Sequence, residues 1–383
     1  METGRLSFWE ATSLMVGAGV GAGIMAVPYL ASKTGFATLV VVLAVAWAAT
    51  CLIHLMLAEV LFRTGHDLQV IELMRLYVFR GRAWSWLLWL VFALLSVAFV
   101  AVLAAYVSGE GEIVTEFTGL PSGVSELLVY AVSAGVVFFG LKVVGVFEKL
   151  GALALFACIL ALAIGSIGVG FHLDVAPSGT WTEALALYGM VMYGYYTFFT
   201  VPQVVRGLGP DRRGAVRAIV LGLAINGLLM AVVAFIALGV SVEVTKVAII
   251  GIADSLGGWA GSVGSLFILV ALVTSYWSVS LALADILRER TGMSRNLSWV
   301  LATLPSLLLL YAGAWRFLEW LRLAGGATAI VIALITIPMY VNARRFGDVP
   351  TPGWTLGRWG NPVMLALALL AAVLMALGSL LQL

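Results

Sequence analysis

The first apolar segment of the chain contains the stretch Gly17-Ala-Gly-Val-Gly-Ala-Gly-Ile-Met-Ala-Val-Pro28. Each of its four alternating glycines costs a helix about 0.8–1 kcal/mol relative to alanine, and the proline removes a backbone hydrogen bond. The stretch therefore predicts an unwound segment between two short helices. Glycines four residues apart, at 17/21 and 19/23, would also suit close helix packing, which is the alternative interpretation.

The composition around this stretch is that of an integral membrane protein. Apolar residues make up 62% of the 383 residues and charged residues 10%, against about 45–50% and about 25% in soluble proteins. A net charge of +2 provides no large field to attract nucleic acid. Both cysteines, Cys51 and Cys158, fall within apolar runs, so we expect buried thiols and no disulfide.

The length of the apolar runs predicts the number of membrane spans. A hydrocarbon core about 30 Å thick requires roughly 20 mostly apolar residues per helix. We therefore expect an all-α fold and a single transmembrane domain over 1–383. It has eleven helices, at 8–31, 36–61, 84–107, 124–140, 149–170, 182–202, 216–239, 261–287, 297–314, 318–341 and 361–382.

The positive charges predict the orientation of these spans. Of the 21 lysines and arginines, 17 fall in the N-terminal tail and in the alternate loops on its side of the membrane. Because cytoplasmic loops are enriched in these residues, we expect the N-terminus in the cytoplasm and the C-terminus outside. The expected location is the cell membrane, plasma or inner.

A second interrupted span lies five helices after the first. The run Tyr188-Gly-Met-Val-Met-Tyr-Gly-Tyr-Tyr-Thr-Phe-Phe-Thr-Val-Pro202 contains two glycines and ends in a proline. Breaks in the first and sixth spans are what an inverted repeat of five plus five helices predicts, with one extra helix at the C-terminus. Ordinary aromatic packing would explain the sixth-span pattern equally well when it is taken alone.

Broken helices at mid-depth would create a binding site from the backbone alone. In hydrocarbon, unwound segments persist only where they line a cavity or contact protein. The amides of residues 22–24 would carry partial positive charge and hold a carboxylate. The carbonyls of Gly17 and Val20 would coordinate a cation.

The residues of the first break resemble a known family. Gly21-Ala-Gly-Ile-Met-Ala-Val-Pro28 is similar to the Gly-x-Gly-Ile-Leu-x-Leu-Pro signature of the amino acid/auxin permease family, within the amino acid–polyamine–organocation superfamily. Weaker similarities occur at 200–205, at 274–287, and at Gly325, Gly326 and Pro338. The resemblance implies a LeuT-type fold and secondary active transport of amino acids by alternating access.

With this resemblance, the break chemistry predicts a site for a small neutral amino acid, because we find no midplane charge to pair with a charged side chain. The amides would bind the substrate carboxylate, while the Gly19 carbonyl and the sixth-span break would bind its ammonium group. The predicted substrate site comprises Gly19, Ala22, Gly23, Ile24, Tyr193, Gly194, Tyr195 and Thr197.

The resemblance also implies a sodium site between the first and eighth helices. Its ligands map to Gly17, Val20, Ala271, Thr274 and Ser275. Alternatively, the two hydroxyls bond to their own helix. Some relatives use a fifth-helix lysine and run on protons. The absence of lysine from 150–170 favours Na⁺ as the coupling ion, with H⁺ as the alternative.

A few charged and polar residues within the spans have two interpretations. Glu59 with Arg63, and Glu319 with Arg322, are predicted either as gates or as ordinary surface ion pairs. The roles of His54 and Asn226 stay open.

Other function classes fit the sequence less well than transport does. An enzyme is not expected, since only three histidines exist and no acidic pair lies at mid-depth. A receptor or sensor with the same fold is the alternative from another class. The expected partners are the amino acid and the lipid bilayer, without nucleic acid or an obligate protein partner.

Overall fold

The computed structural model describes residues 5–167, 169–170, 173, 175–241, 244–245, 248–312 and 335–381. Over these ranges the chain is helical, without a β-sheet. The helices are α1 (Phe8–Gly19), α2 (Ala22–Thr34), α3 (Phe36–Thr64), α4 (Val70–Tyr77), α5 (Ser85–Thr118), α6 (Ser122–Phe138), α7 (Leu141–Gly165), α8 (Trp181–Gly194), α9 (Val201–Leu208), α10 (Arg212–Val240), α11 (Ala248–Leu256), α12 (Gly258–Thr291), α13 (Arg295–Tyr311), α14 (335–346) and α15 (Pro362–Leu380).

The first span is broken where the glycines predict it. Helix α1 begins with a capping box between Ser7 and Glu10 and ends at Gly19. After Val20 and Gly21, α2 begins without a side-chain cap, and the two helices are bent by 57°. The predicted unwound segment is therefore confirmed, and it is only two residues long.

The sixth span is also broken, at residues 195–197. Helix α8 ends at Gly194, a 3₁₀ turn follows at Phe198–Thr200, and α9 starts at Val201 with Pro202 in its first turn. Proline is tolerated at this position because the first-turn amides have no intrahelical acceptor in any case. The break predicted near Gly194 is confirmed.

Seven of the described helical segments are long and apolar enough to cross a membrane, and the bent pair α1–α2 makes an eighth. They are Phe36–Thr64, Arg82–Thr118, Leu141–Gly165, Trp181–Leu208, Arg212–Val240, Gly258–Thr291 and Pro362–Leu380. The protein is therefore a multi-pass membrane protein. Most of the predicted span 318–341, including Glu319, Arg322, Gly325 and Gly326, lies outside the described residues.

Two predicted helix boundaries are wrong. The third span does not end at 107 but continues to Thr118, and the fifth begins at Leu141 instead of 149. Charged residues near the helix ends suggested loops. Their side chains are accommodated within the helices, and Lys142, for example, forms an ion pair with Glu10 at 2.6 Å. Glu148 therefore belongs to α7 and not to a cytoplasmic loop.

The two broken spans lie at the centre of the helix packing. Helix α1 packs against α10, α7 and α12, and α2 packs against α8 and α10. Helix α15 lies against α8, where a β-carbon on Gly189 would come within 2.7 Å of the Gly378 carbonyl carbon. The unwound segments are therefore surrounded by protein, as backbone at membrane depth requires.

Candidate functional site

The two helix breaks contact each other through glycines. A β-carbon on Gly23 would lie 3.0 Å from the Gly194 Cα and 3.1 Å from its nitrogen. One on Gly19 would lie 2.9 Å from the Gly194 oxygen and would overlap the Asn226 amide. Glycine is required here because two backbones approach more closely than a side chain permits.

Side chains from neighbouring helices satisfy the carbonyls at the end of α1. The Asn226 amide of α10 donates to the Met15 carbonyl at 3.1 Å, and the Ser275 hydroxyl of α12 donates to the Gly17 carbonyl at 3.0 Å. Asn226 therefore bridges two helices, and its Oδ1 has no partner among the described residues.

The opposite side of the break exposes the amide end of α2. The amides of residues 22 and 23 lie in its first turn and have no intrahelical acceptor. The Ile24 amide already donates to the Gly21 carbonyl at 3.3 Å. Two amides therefore remain for an anionic group.

A cavity adjoins both breaks. Its lining combines first-span backbone with aromatic and aliphatic side chains, and none of the lining residues is charged. The lining residues are Ala18, Gly19, Gly21, Gly23, Phe99, Val102, Tyr106, Tyr193, Tyr196 and Val279. The cavity suits a mostly apolar molecule with a few backbone-recognised polar groups.

The structure separates the predicted substrate residues into two groups. Gly19, Gly23 and Tyr193 line the cavity, and Ala22 begins α2 between two lining glycines. Ile24 is not among the lining residues, because its side chain is buried in the core.

The remaining predicted residues of the sixth-span break are not among the residues that line the cavity. Gly194 packs on Gly23, and the Tyr195 hydroxyl donates to the Leu43 carbonyl of α3 at 3.3 Å. The Thr197 hydroxyl lies 3.1 Å from His54 Nε2, whose Nδ1 lies 2.8 Å from the Thr50 carbonyl. His54 therefore holds the unwound segment against α3.

Sequence reasoning did not identify the residues of the wall that α5 contributes. Phe99, Val102 and Tyr106 follow one another at spacings of three and four residues, so they occupy one helical face. A tyrosine within an otherwise apolar span was the available signal. Phe99 also contacts Phe199 edge-to-face, with ring centroids 4.8 Å apart, which joins this wall to the sixth span.

Three of the five predicted sodium ligands lie close together. Besides the Ser275–Gly17 hydrogen bond, the Thr274 Cβ lies 3.0 Å from the position of a β-carbon on Gly17. The Thr274 hydroxyl donates to the carbonyls of Val270 and Ala271 at 2.9 and 3.1 Å, which is the alternative arrangement for this residue. Val20 is the C-cap of α1 and is buried.

A carboxyl group that sequence reasoning missed also lies here. Glu148 is fully buried on α7, and its Oε1 accepts a hydrogen bond from the Ser278 hydroxyl at 2.6 Å. A β-carbon on Gly17 would overlap its Oε2, so this oxygen lies against the first-span break. The signal was the buried stripe 141, 144, 145, 148, 151, which continues the helix back through Glu148.

The predicted gate pair on α3 is an anchor for a loop. Glu59 is buried, and its carboxylate accepts from Arg63 at 2.8 Å, from the Leu356 amide at 2.7 Å and from the Tyr340 hydroxyl at 3.2 Å. The Arg63 guanidinium also donates to the Pro350 carbonyl at 3.0 Å. The pair therefore joins α3 to α14 and the segment that follows it.

The comparisons with known proteins identify the family and the fold. A profile described as the tryptophan/tyrosine permease family matches residues 5–379. No curated protein matches the sequence.

Among solved structures, the chain is similar to Mhp1, a nucleobase-cation-symport-1 family transporter in a closed conformation with bromovinylhydantoin bound. The TM-score is 0.66 at 13% identity, over 98% of this chain and 92% of that one. The fold is therefore LeuT-like, as expected. The family match is to an amino acid permease type, and the narrower assignment to the amino acid/auxin permease family is not confirmed.

Proposed function

The chain belongs to the tryptophan/tyrosine permease family, and from this premise we propose that it is a symporter for an aromatic amino acid. It is a transporter and not an enzyme. The observation that carries the proposal is the cavity between two helix breaks, lined by bare backbone and aromatic rings and free of charged side chains. The sequence predicted a small neutral amino acid. We still propose a neutral substrate, but a large aromatic one in place of a small one.

The backbone groups around the cavity would bind both ends of a zwitterion. The amides of Ala22 and Gly23 would receive the carboxylate. The carbonyls of Gly19 and Gly194, with the unpartnered Asn226 Oδ1 beside them, would receive the ammonium group.

The aromatic lining would surround the side chain of the substrate. Phe99, Tyr106, Tyr193 and Tyr196 present rings to the cavity, and ring pairs gain about 0.5–1.5 kcal/mol beyond area burial. The buried Tyr196 hydroxyl has no partner among the described residues, so it is free to bond an indole N–H or a phenol.

We also propose Na⁺ as the coupling ion, with protons as the alternative. The Ser275 hydroxyl lies 3.0 Å from the Gly17 carbonyl with Thr274 beside them, and hard cations prefer carbonyl and hydroxyl oxygens. The Ala271 and Val20 carbonyls would complete the ligand set.

The proposed topology keeps the eleven spans in one domain. It consists of a five-plus-five inverted repeat and one extra helix, with a cytoplasmic N-terminus and an external C-terminus in the cell membrane. The matching breaks in the first and sixth spans support it.

Counterflow in proteoliposomes tests the proposal. Vesicles loaded with unlabelled tryptophan should accumulate labelled tryptophan, and external tyrosine or phenylalanine should compete whereas glutamate and lysine should not. Trans-acceleration identifies a carrier and separates it from a receptor with the same fold. Binding without exchange, or equal competition by charged amino acids, would refute the proposal.

A further inference from the structure

Glu148 is one of two fully buried glutamates in the described core that have a single serine partner and one unpartnered oxygen. The residue has no exposed surface, and one of its two oxygens has no hydrogen-bond partner among the described residues. Its single partner is the Ser278 hydroxyl on α12. Burying a carboxylate with so little compensation is costly, so a positive charge is expected to accompany it.

Glycines make room for this carboxylate where three helices meet. Its unpartnered oxygen occupies the space that a side chain on Gly17 of α1 would fill. One turn after Glu148, a β-carbon on Gly151 would overlap the Thr274 methyl group of α12. Helix α7 therefore lies close to both α1 and α12 and delivers the carboxylate between them.

The charged side chains on the helices around α7 are committed elsewhere or lie near its ends. Glu10 of α1 pairs with Lys142 at 2.6 Å, and Arg206 of α9 pairs with Asp285 of α12 at 2.5 Å. Among the described residues, no other ionisable side chain on these helices forms a hydrogen bond or ion pair with Glu148. The groups considered are Arg212, Arg213 and Arg217 of α10, Tyr276, Arg288, Glu289 and Arg290 of α12, Glu126 and Tyr130 of α6, and Lys149 of α7.

The neighbours of Glu148 are the oxygen ligands that a small hard cation takes. The Ser278 hydroxyl binds the carboxylate, the Ser275 hydroxyl binds the Gly17 carbonyl, and Thr274 lies beside Gly17 where α1, α7 and α12 meet. We infer that Glu148 is the anionic ligand of the coupling cation, so that the site predicted from neutral oxygens carries one negative charge. This inference rests on the proposed sodium coupling.

Sodium-dependent thermal stabilisation of the purified full-length protein tests the inference. NaCl is titrated against choline chloride at constant ionic strength into the wild type and into Glu148→Gln, which keeps the side-chain shape and removes the charge. Because a bound ion stabilises the folded state, Na⁺ should raise the wild-type Tm. The apparent Na⁺ affinity of the variant should be about a hundredfold weaker or worse, as expected when a buried charge loses its partner.

Glu110 supplies a matched control. It is another fully buried glutamate, on α5, with one serine partner (Ser133 at 3.4 Å) and one unpartnered oxygen, but it does not contact Gly17. Glu110→Gln should keep the sodium response. Glu148→Asp, which restores the charge on a shorter side chain, should recover part of it.

The outcomes separate this inference from the proposed function. A full sodium response in Glu148→Gln, or an equal loss in Glu110→Gln, would overturn the role of Glu148 as a ligand. A wild type whose stability responds to pH but not to Na⁺ would overturn it too, in favour of protonation. Stabilisation of the wild type by tryptophan, measured in the same plates, reports separately on amino acid binding.

Discussion

At the scale of single residues, the site depends on side chains that are missing. A β-carbon on Gly23 would lie about 3 Å from the backbone of Gly194, and the Glu148 carboxylate occupies the space that a side chain on Gly17 would fill. In both places the absence of a side chain allows the close approach that forms the cavity or the proposed cation site. The amides that would hold the carboxylate belong to the same turn as Gly23.

Gly23→Ala should weaken substrate binding by about tenfold or more. The new methyl group would meet Gly194 backbone, which cannot move aside as a flexible side chain could, so the two breaks are pushed apart. Small misplacements of binding groups have large costs. Gly135→Ala on α6 is the control, because its β-carbon meets nothing within 4 Å. Tryptophan titration by thermal shift checks the result, and unchanged affinity in Gly23→Ala would contradict it.

The breaks could be predicted because glycine and proline act on their own backbone. Gly19, Gly23 and Tyr193 reach the cavity as predicted residues of those breaks. Tyr195 and Thr197 turn towards α3 instead, since their direction depends on partners that the sequence around them does not contain. The α5 wall and Glu148 also depend on tertiary packing. Glu148 was hidden further by a helix start placed eight residues too late.

At the scale of helices, Glu59 joins the C-terminal end of α3, which we expect to face the cytoplasm, to α14 and the segment after it. Three donors from different parts of the chain meet on one buried carboxylate. Such a group stabilises the fold because removing it leaves every donor without an acceptor. A gate, by contrast, would have to release these bonds in each transport cycle.

Glu59→Ala should therefore destabilise the protein without lowering the transport rate of the molecules that remain folded. We expect a loss of about 1–3 kcal/mol in the free energy of unfolding, from donors left buried and unsatisfied. Glu112→Ala, at an exposed position on α5, should change it by less than about 0.5 kcal/mol. Thermal unfolding and uptake per folded molecule are measured together. Normal stability with altered uptake would instead make Glu59 a gate.

At the scale of the whole molecule, α5 offers a direct test of orientation. Arg82 precedes this span and Ser122 follows it, and both are exposed. From the distribution of positive charges we expect the first in the cytoplasm and the second outside. The native thiols of Cys51 and Cys158 are buried, so they contribute little background to a labelling experiment.

Single cysteines at these two positions should react on opposite sides of the membrane. In intact cells, a membrane-impermeant maleimide should label Ser122→Cys, whereas Arg82→Cys should react only after permeabilisation. The unmodified chain serves as the background control in both conditions. Labelling of Arg82→Cys from outside would reverse the proposed topology, and labelling of both positions from outside would show that α5 does not span.

The contact between Gly189 and Gly378 couples α15 mechanically to α8, the first half of the sixth span. Two bare backbones touch there, and the Tyr188 hydroxyl donates to the Ala371 carbonyl at 3.3 Å. If α8 tilts during transport, then either α15 moves with it through the lipid or α8 slides along α15 at this glycine contact. A fluorescent dye on the lipid-exposed face of α15, for instance at Leu370, would report this movement without contacting the substrate.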